Sequence, residues 1–106
     1  MSQTHPPLDI ADMRSSARIV TALLRVLANE DRLLLLCQLA QGERSVGELE
    51  QSLEIHQPTL SQQLGVLRAE GVVTTRRDGK RIFYNVADPK VLTLLNTLYQ
   101  LYCQAE

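Results

Sequence analysis

The chain has 106 residues, 44% of them hydrophobic, with no Trp, one Phe and a formal net charge of −1. That length fits one domain with a modest core, and the composition makes the core aliphatic, built on Leu. No apolar run reaches the ~18 residues that span a bilayer, and residues 1–7 lack the charged and apolar regions of a signal peptide. The expected location is the cytoplasm, with no membrane association. There, Cys37 and Cys103 are expected as free thiols, since no C-x-x-C motif exists.

Residues 1–8 read as a flexible tail broken by Pro6 and Pro7, and residues 9–106 as a single domain. From Asp9 the apolar residues Ile10, Met13, Ala17, Val20, Leu24 and Leu27 recur every three or four positions, a helical seam widened by Leu23 and Val26. Asn29 suits the N-cap of a second helix, with Glu30 and Asp31 in its first turn. The run Leu33 to Cys37 is apolar on nearly every side, so this helix is central, and Gly42 stops it. Ser45-Val46-Gly47-Glu48 fits a capping box that opens a short third helix, with Val46, Leu49 and Leu53 inward.

After a break at Glu54-Ile55-His56, Pro58 suits the first turn of a fourth helix spanning Gln57 to Glu70. Leu60, Leu64 and Leu67 form its buried stripe, and Gly71 ends it. Val72 to Arg77 and Ile82 to Val86 are rich in strand formers, and Asp78-Gly79 predicts a two-residue hairpin turn between them. Asp88 and Pro89 open a last helix, whose stripe is Val91, Leu95, Leu98 and Tyr102. The fold class is mainly α with a β-hairpin, in the order α-α-α-α-β-β-α. Two short helices joined by a tight turn and followed by a hairpin make a winged helix-turn-helix.

The distribution of charge points to double-stranded DNA as the partner. Residues 56–86 carry five Lys/Arg against two Asp/Glu, net +3, whereas residues 1–55 carry five against eight. The outward face of the fourth helix presents Gln57, Thr59, Ser61, Gln62 and Gln63, compact neutral groups suited to base edges; a Gln can pair with adenine N6 and N7. His56 precedes them as a helix cap or phosphate contact. With Asp78-Gly79 as the turn, Arg77 is expected opposite Lys80 and Arg76 opposite Arg81. Like charges across a ladder repel, and a phosphate backbone would turn that repulsion into attraction. The bland alternatives are a solvated helix face and a basic tip that protects a strand edge. The broad apolar faces of the first and last helices offer a reason to form a homodimer, whose two reading helices would match a pseudo-palindromic operator.

Three stretches carry a family resemblance: Ala28 to Leu33, Ser45 to Glu50, and Gln57 to Arg68. Together they resemble the ArsR family of bacterial repressors, over roughly residues 10–104. The resemblance implies a homodimer built on the first and last helices, DNA binding without enzymatic activity, and release of the operator by an inducer. It departs from the family's metal sensors. Ser45-Val46-Gly47 has no thiol where the arsenic and cadmium sensors carry Cys-x-Cys, and no His follows Asp88 where the zinc and cobalt sensors place ligands. His5 and His56 lie elsewhere, so no metal site and no cofactor is expected.

By residue chemistry alone Cys37, set among leucines, and Cys103, near a helix C-terminus, read as unreactive structural thiols. The family's sulfide- and persulfide-sensing subgroup, which includes biofilm growth repressors, places one Cys in each of these helices. A virulence regulator of the same family shares the pair, so the regulated pathway stays open. The resemblance therefore implies a redox switch at Cys37 and Cys103, with reactive sulfur species or an oxidant as inducer. The alternatives are, in order, a repressor or antirepressor of the same family whose cysteines are structural, a winged-helix protein-interaction module, and last a thiol oxidoreductase, for which the chain offers no cysteine at a helix N-terminus.

Overall fold

Local capping explains where most helices begin. In the computed structural model, which describes residues 9–103, Asp9 is extended and its carboxylate accepts from the Ala11 N–H at 2.8 Å, opening α1 (Ile10–Leu27). Asn29 accepts from the Arg32 N–H at 3.0 Å and opens α2 (Glu30–Ala40), with Glu30 and Asp31 in the first turn as expected. Both halves of the Ser45–Glu48 capping box are present at the start of α3 (Val46–Leu53). Asp88 caps α5 (Pro89–Tyr102), with Pro89 in its first turn. The predicted tail over residues 1–8, including His5, lies outside the described residues.

The fourth helix differs slightly from expectation. α4 spans Thr59–Ala69, with Pro58 at the N-cap position just outside the helix. The missing cap is supplied one residue earlier, where Gln57 Oε1 accepts from the Ser61 N–H at 3.2 Å and from the Ser61 hydroxyl. Gly71 follows the helix with φ +73°, a left-handed position that favours glycine.

Two expectations about the strands are corrected. The hairpin is part of a three-stranded antiparallel sheet, because β1 (Arg44–Ser45) pairs with β3 (Arg81–Val86), which pairs with β2 (Val73–Asp78). The hairpin register also differs. Asp78 faces Arg81, Arg77 faces Ile82 and Arg76 faces Phe83, so the predicted like-charge pairs Arg77–Lys80 and Arg76–Arg81 do not form. The turn residues are Gly79 and Lys80, and Gly79 takes the positive φ of +64° at the first central position, where a type II′ turn requires glycine.

The core is aliphatic, as the composition requires. Leu35 and Leu36 of α2, Leu49 of α3, Leu60 and Leu67 of α4 and Leu95 of α5 are fully buried. α2 packs against α1, α3, α4, α5 and β3, the central role its apolar sequence predicts. Truncating one of these leucines to Ala should cost about 2–5 kcal/mol. α1 is the exception to this packing. Only Val26 and Leu27 are buried in it, while Ile10, Ile19, Val20 and Leu24 remain exposed, Ile19 at 70%. The seam predicted along α1 is therefore mostly unused within one chain. No helix of the described residues is long and apolar enough to cross a membrane.

Candidate nucleic-acid interface

Burial of Leu60, Leu64 and Leu67 fixes the rotation of α4 and turns Thr59, Ser61, Gln62 and Gly65 to solvent. The predicted Thr59, Ser61 and Gln62 thus share one polar face with Gly65, uninterrupted by any charge before Arg68. His56 is exposed just before the helix, with Nδ1 at 3.8 Å from a Glu50 carboxylate oxygen.

Three members of the predicted helix set have partners inside the protein: Gln57 and Ser61, whose hydroxyl donates to the Gln57 amide oxygen, and Gln63. Gln57 is held as the cap of α4. Gln63 is half-buried, and its Oε1 accepts from Arg32 Nη1 at 3.1 Å. Arg32 was not among the predicted site residues. Its Nε donates to the Val26 carbonyl at 2.7 Å and its Nη2 to the Arg25 carbonyl at 3.3 Å. One guanidinium thus ties the end of α1, the start of α2 and α4 together. A signal for it existed in the sequence: a cation in the first turn of α2 opposes the helix dipole, so it must satisfy something else.

The register puts Arg77 on one face of the wing, Arg76 and Arg81 on the other, and Lys80 in the turn. Side chains alternate along a strand, so Arg77 lies on the face shared with Thr75, Ile82 and buried Tyr84, the side on which the helices pack. Arg77, and Lys80 in the turn, are exposed, and among the described residues neither makes an ion pair. Arg76 and Arg81 lie on the opposite face, where their guanidinium carbons stand 4.7 and 4.9 Å from the Phe83 ring centroid.

Both cations of that face already have acidic neighbours. Arg76 Nε and Nη2 donate to the two oxygens of Glu43 at 2.9 and 2.7 Å, and Asn85 Nδ2 donates to Glu43 Oε2 at 2.7 Å. The Arg76 bonds, with the Asn85 amide adding to them, lower the Glu43 carboxyl to about 2. Arg81 Nη2 donates to Ser45 Oγ at 3.2 Å and lies 3.9 Å from Glu48 Oε2. Glu48 is held below the usual carboxylate range, first by the Ser45 N–H. Glu43 carried no local signal, because its partners Arg76 and Asn85 lie far along the chain.

The two cysteines fall on packed neighbours, α2 and α5. Cys37 is half-buried against the aliphatic core, and Cys103 is exposed at the C-cap of α5, its N–H donating to the Tyr99 carbonyl at 2.8 Å. Burial pushes the Cys37 thiol up, and proximity to Cys103 adds to the rise. Both are free thiols. Among the described residues no group of three His, Cys, Asp or Glu side chains could hold a metal ion.

Comparison with known proteins agrees with this architecture. Residues 29–75 match the family described as bacterial regulatory protein, arsR family. The chain is 53% identical over 105 residues to the biofilm growth-associated repressor of Agrobacterium fabrum, covering 94% of this chain and 90% of that protein. The crystal structure of the transcriptional repressor BigR from Xylella fastidiosa superposes with a TM-score of 0.83 at 50% identity, over 92% of this chain and all (100%) of that one. Reduced HlyU from Vibrio cholerae N16961 superposes with a TM-score of 0.85 at 40% identity, over 90% of this chain and 100% of that one. With its winged helix-turn-helix fold, its match to the family model and its likeness to these named repressors, the chain belongs to the arsR family of bacterial regulatory proteins.

Proposed function

We propose that this regulator is a cytoplasmic homodimeric repressor that binds a pseudo-palindromic operator through α4 and the wing. The observation that carries this reading is an exposed, uncharged polar helix face, Thr59, Ser61 and Gln62, in a fold whose wing carries two exposed cations, Arg77 and Lys80, that make no ion pair among the described residues. Thr59, Ser61 and Gln62 would meet base edges in the major groove, and Arg77 and Lys80 the phosphates beside it. His56 stands where it can join the phosphate contacts. Gln57 and Gln63 shape and hold α4, and Arg76 and Arg81 contribute less than the sequence suggested.

The second copy is supported by the exposed apolar residues of α1, Ile10, Ile19, Val20 and Leu24, and by Leu101 and Tyr102 of α5 at 69% and 82% exposure. Exposed apolar side chains on these two helices favour a partner, and a twofold axis would let the same residues cover one another. Two α4 helices would then sit about 34 Å apart, one DNA turn. Sedimentation equilibrium with footprinting of a bound operator tests this. A dimeric mass and two protected half-sites one turn apart are expected; a monomer bound to a single site would overturn the dimer.

The release step follows from the two thiols. The exposed Cys103 thiolate attacks the outer sulfur of a low-molecular-weight persulfide, RSSH, and expels RS⁻, leaving a persulfide on Cys103. The Cys37 thiolate then attacks the inner sulfur and expels HS⁻, forming a Cys37–Cys103 disulfide. Two protein thiols are oxidised, the sulfane sulfur is reduced to sulfide, and the two thiol protons leave with the products. Such a bond would tie α2 to the end of α5 and alter the spacing of the two reading helices. A second reading, a regulator whose cysteines only pack, is favoured by the half-buried position of Cys37 against the core.

A further inference from the structure

Beside the wing of the proposed DNA-binding surface, one acidic residue holds a cation through both of its oxygens. Glu43 comes from the segment between α2 and β1 and meets Arg76 of β2 through both carboxylate oxygens, at 2.7 and 2.9 Å. Asn85 of β3 holds the same carboxylate at 2.7 Å, and Phe83 lies under the Arg76 guanidinium. The arrangement fixes Arg76 from three directions: a fork-to-fork ion pair, an amide that orients the acid, and an aromatic floor. An exposed ion pair adds only modestly to stability; a network built this way also fixes where the guanidinium can reach.

We propose that Glu43 sets the specificity of DNA binding by occupying Arg76 and keeping it off the phosphate backbone. The inference rests on the reading that the wing meets DNA. Phosphate contacts raise affinity for every sequence alike, whereas a regulator must find one site among many competing ones. Withdrawing one wing cation lowers the affinity for arbitrary DNA and leaves base contacts by α4 untouched. It also divides the wing's labour: Arg77 and Lys80 reach phosphate, and Arg76 is held back.

The test measures binding of the full chain to a fluorescent duplex of arbitrary sequence across a series of salt concentrations. Five variants are compared with the wild type: Glu43→Gln, Glu43→Ala, Arg76→Ala, Glu43→Gln with Arg76→Ala, and Arg77→Ala with Lys80→Ala. Thermal melting confirms that each is folded, and the two Glu43 variants back each other up. Glu43→Gln should bind arbitrary DNA about 3–10-fold more tightly, with the slope of log K against log salt steeper by about one. Arg76→Ala alone should stay within about twofold of wild type, and the Glu43→Gln, Arg76→Ala double variant should return to the wild-type value.

Three results overturn the proposal. One is no gain in either Glu43 variant. Another is a gain that persists without Arg76, which marks a general loss of negative charge. The third is a loss in Arg76→Ala as large, per cation removed, as that in the variant lacking Arg77 and Lys80, which means that Arg76 already reaches phosphate. The arm lacking Arg77 and Lys80 separates the two levels of inference. If that arm loses affinity while the Glu43 variants do nothing, only the role of Glu43 fails. If that arm is also unchanged, the wing does not meet DNA and both readings fail.

Discussion

Arg32 and Gln63 join the start of α2 to α4 across 3.1 Å, and the same guanidinium holds two carbonyls at the end of α1. Arg32→Ala removes three side-chain bonds from a half-buried site and should destabilise the fold by about 2–3 kcal/mol. Gln63→Ala removes one bond and should cost less than about 1 kcal/mol. Urea unfolding checks both: the midpoint should fall with little change in slope. An Arg32→Ala midpoint equal to wild type would show that the network carries no stability.

Acid should dissolve the anchor of the wing. The Glu43 carboxyl is lowered to about 2 from an ordinary 4.5, chiefly by its bonds from Arg76. A depressed pKa means that the unfolded chain takes up the proton first as pH falls. The stabilisation is therefore complete above about 4.5 and is lost progressively from there down through about 2. The stability difference between wild type and Glu43→Gln should be constant from pH 5 to 7 and shrink below about 4.5. A difference that does not change down to about pH 3 would contradict the anchor.

Helix boundaries were legible in the sequence because capping is local. Asn29, the Ser45–Glu48 box and Asp88 each act within three residues of themselves. The inward stripe of α4 followed from its leucines. The hairpin register was not legible, and the reason is physical. The expected and observed pairings differ by a slide of two residues, which keeps every side chain on its own face. Alternation of apolar residues therefore cannot distinguish them; only the turn can, and Asp78-Gly79-Lys80 offers glycine to more than one turn type. β1 has two residues, too few to show any period. Arg32 and Glu43 make contacts to residues 31 and 33 positions away, beyond the reach of any local pattern.

The cysteines should differ in reactivity. Cys103 is exposed, whereas Cys37 is half-buried, with its thiol pushed up by burial and by Cys103. Iodoacetamide should label Cys103 first and Cys37 only slowly near neutral pH. After treatment with a persulfide, intact mass should show the loss of two hydrogens and peptide mapping a Cys37–Cys103 link, with a fall in DNA affinity. Cys37→Ser should stop at a Cys103 persulfide, one sulfur heavier. A Cys37→Ser protein that still loses DNA on persulfide treatment would remove the link from the account.

The most direct measurement is the sequence preference of Gln62→Ala. Gln62 is exposed at the centre of the polar face of α4 and supports no part of the core. Wild type and variant are each used to select preferred sites from a randomised duplex library, and their affinity for an arbitrary duplex is measured in parallel. If α4 reads base edges, the variant loses about 1–3 kcal/mol of discrimination at a symmetric pair of positions and keeps its affinity for arbitrary DNA within about twofold. An unchanged preference would show that Gln62 does not read the operator, and together with the same result for Thr59→Ala and Ser61→Ala it would contradict the assignment of α4 as the reading helix.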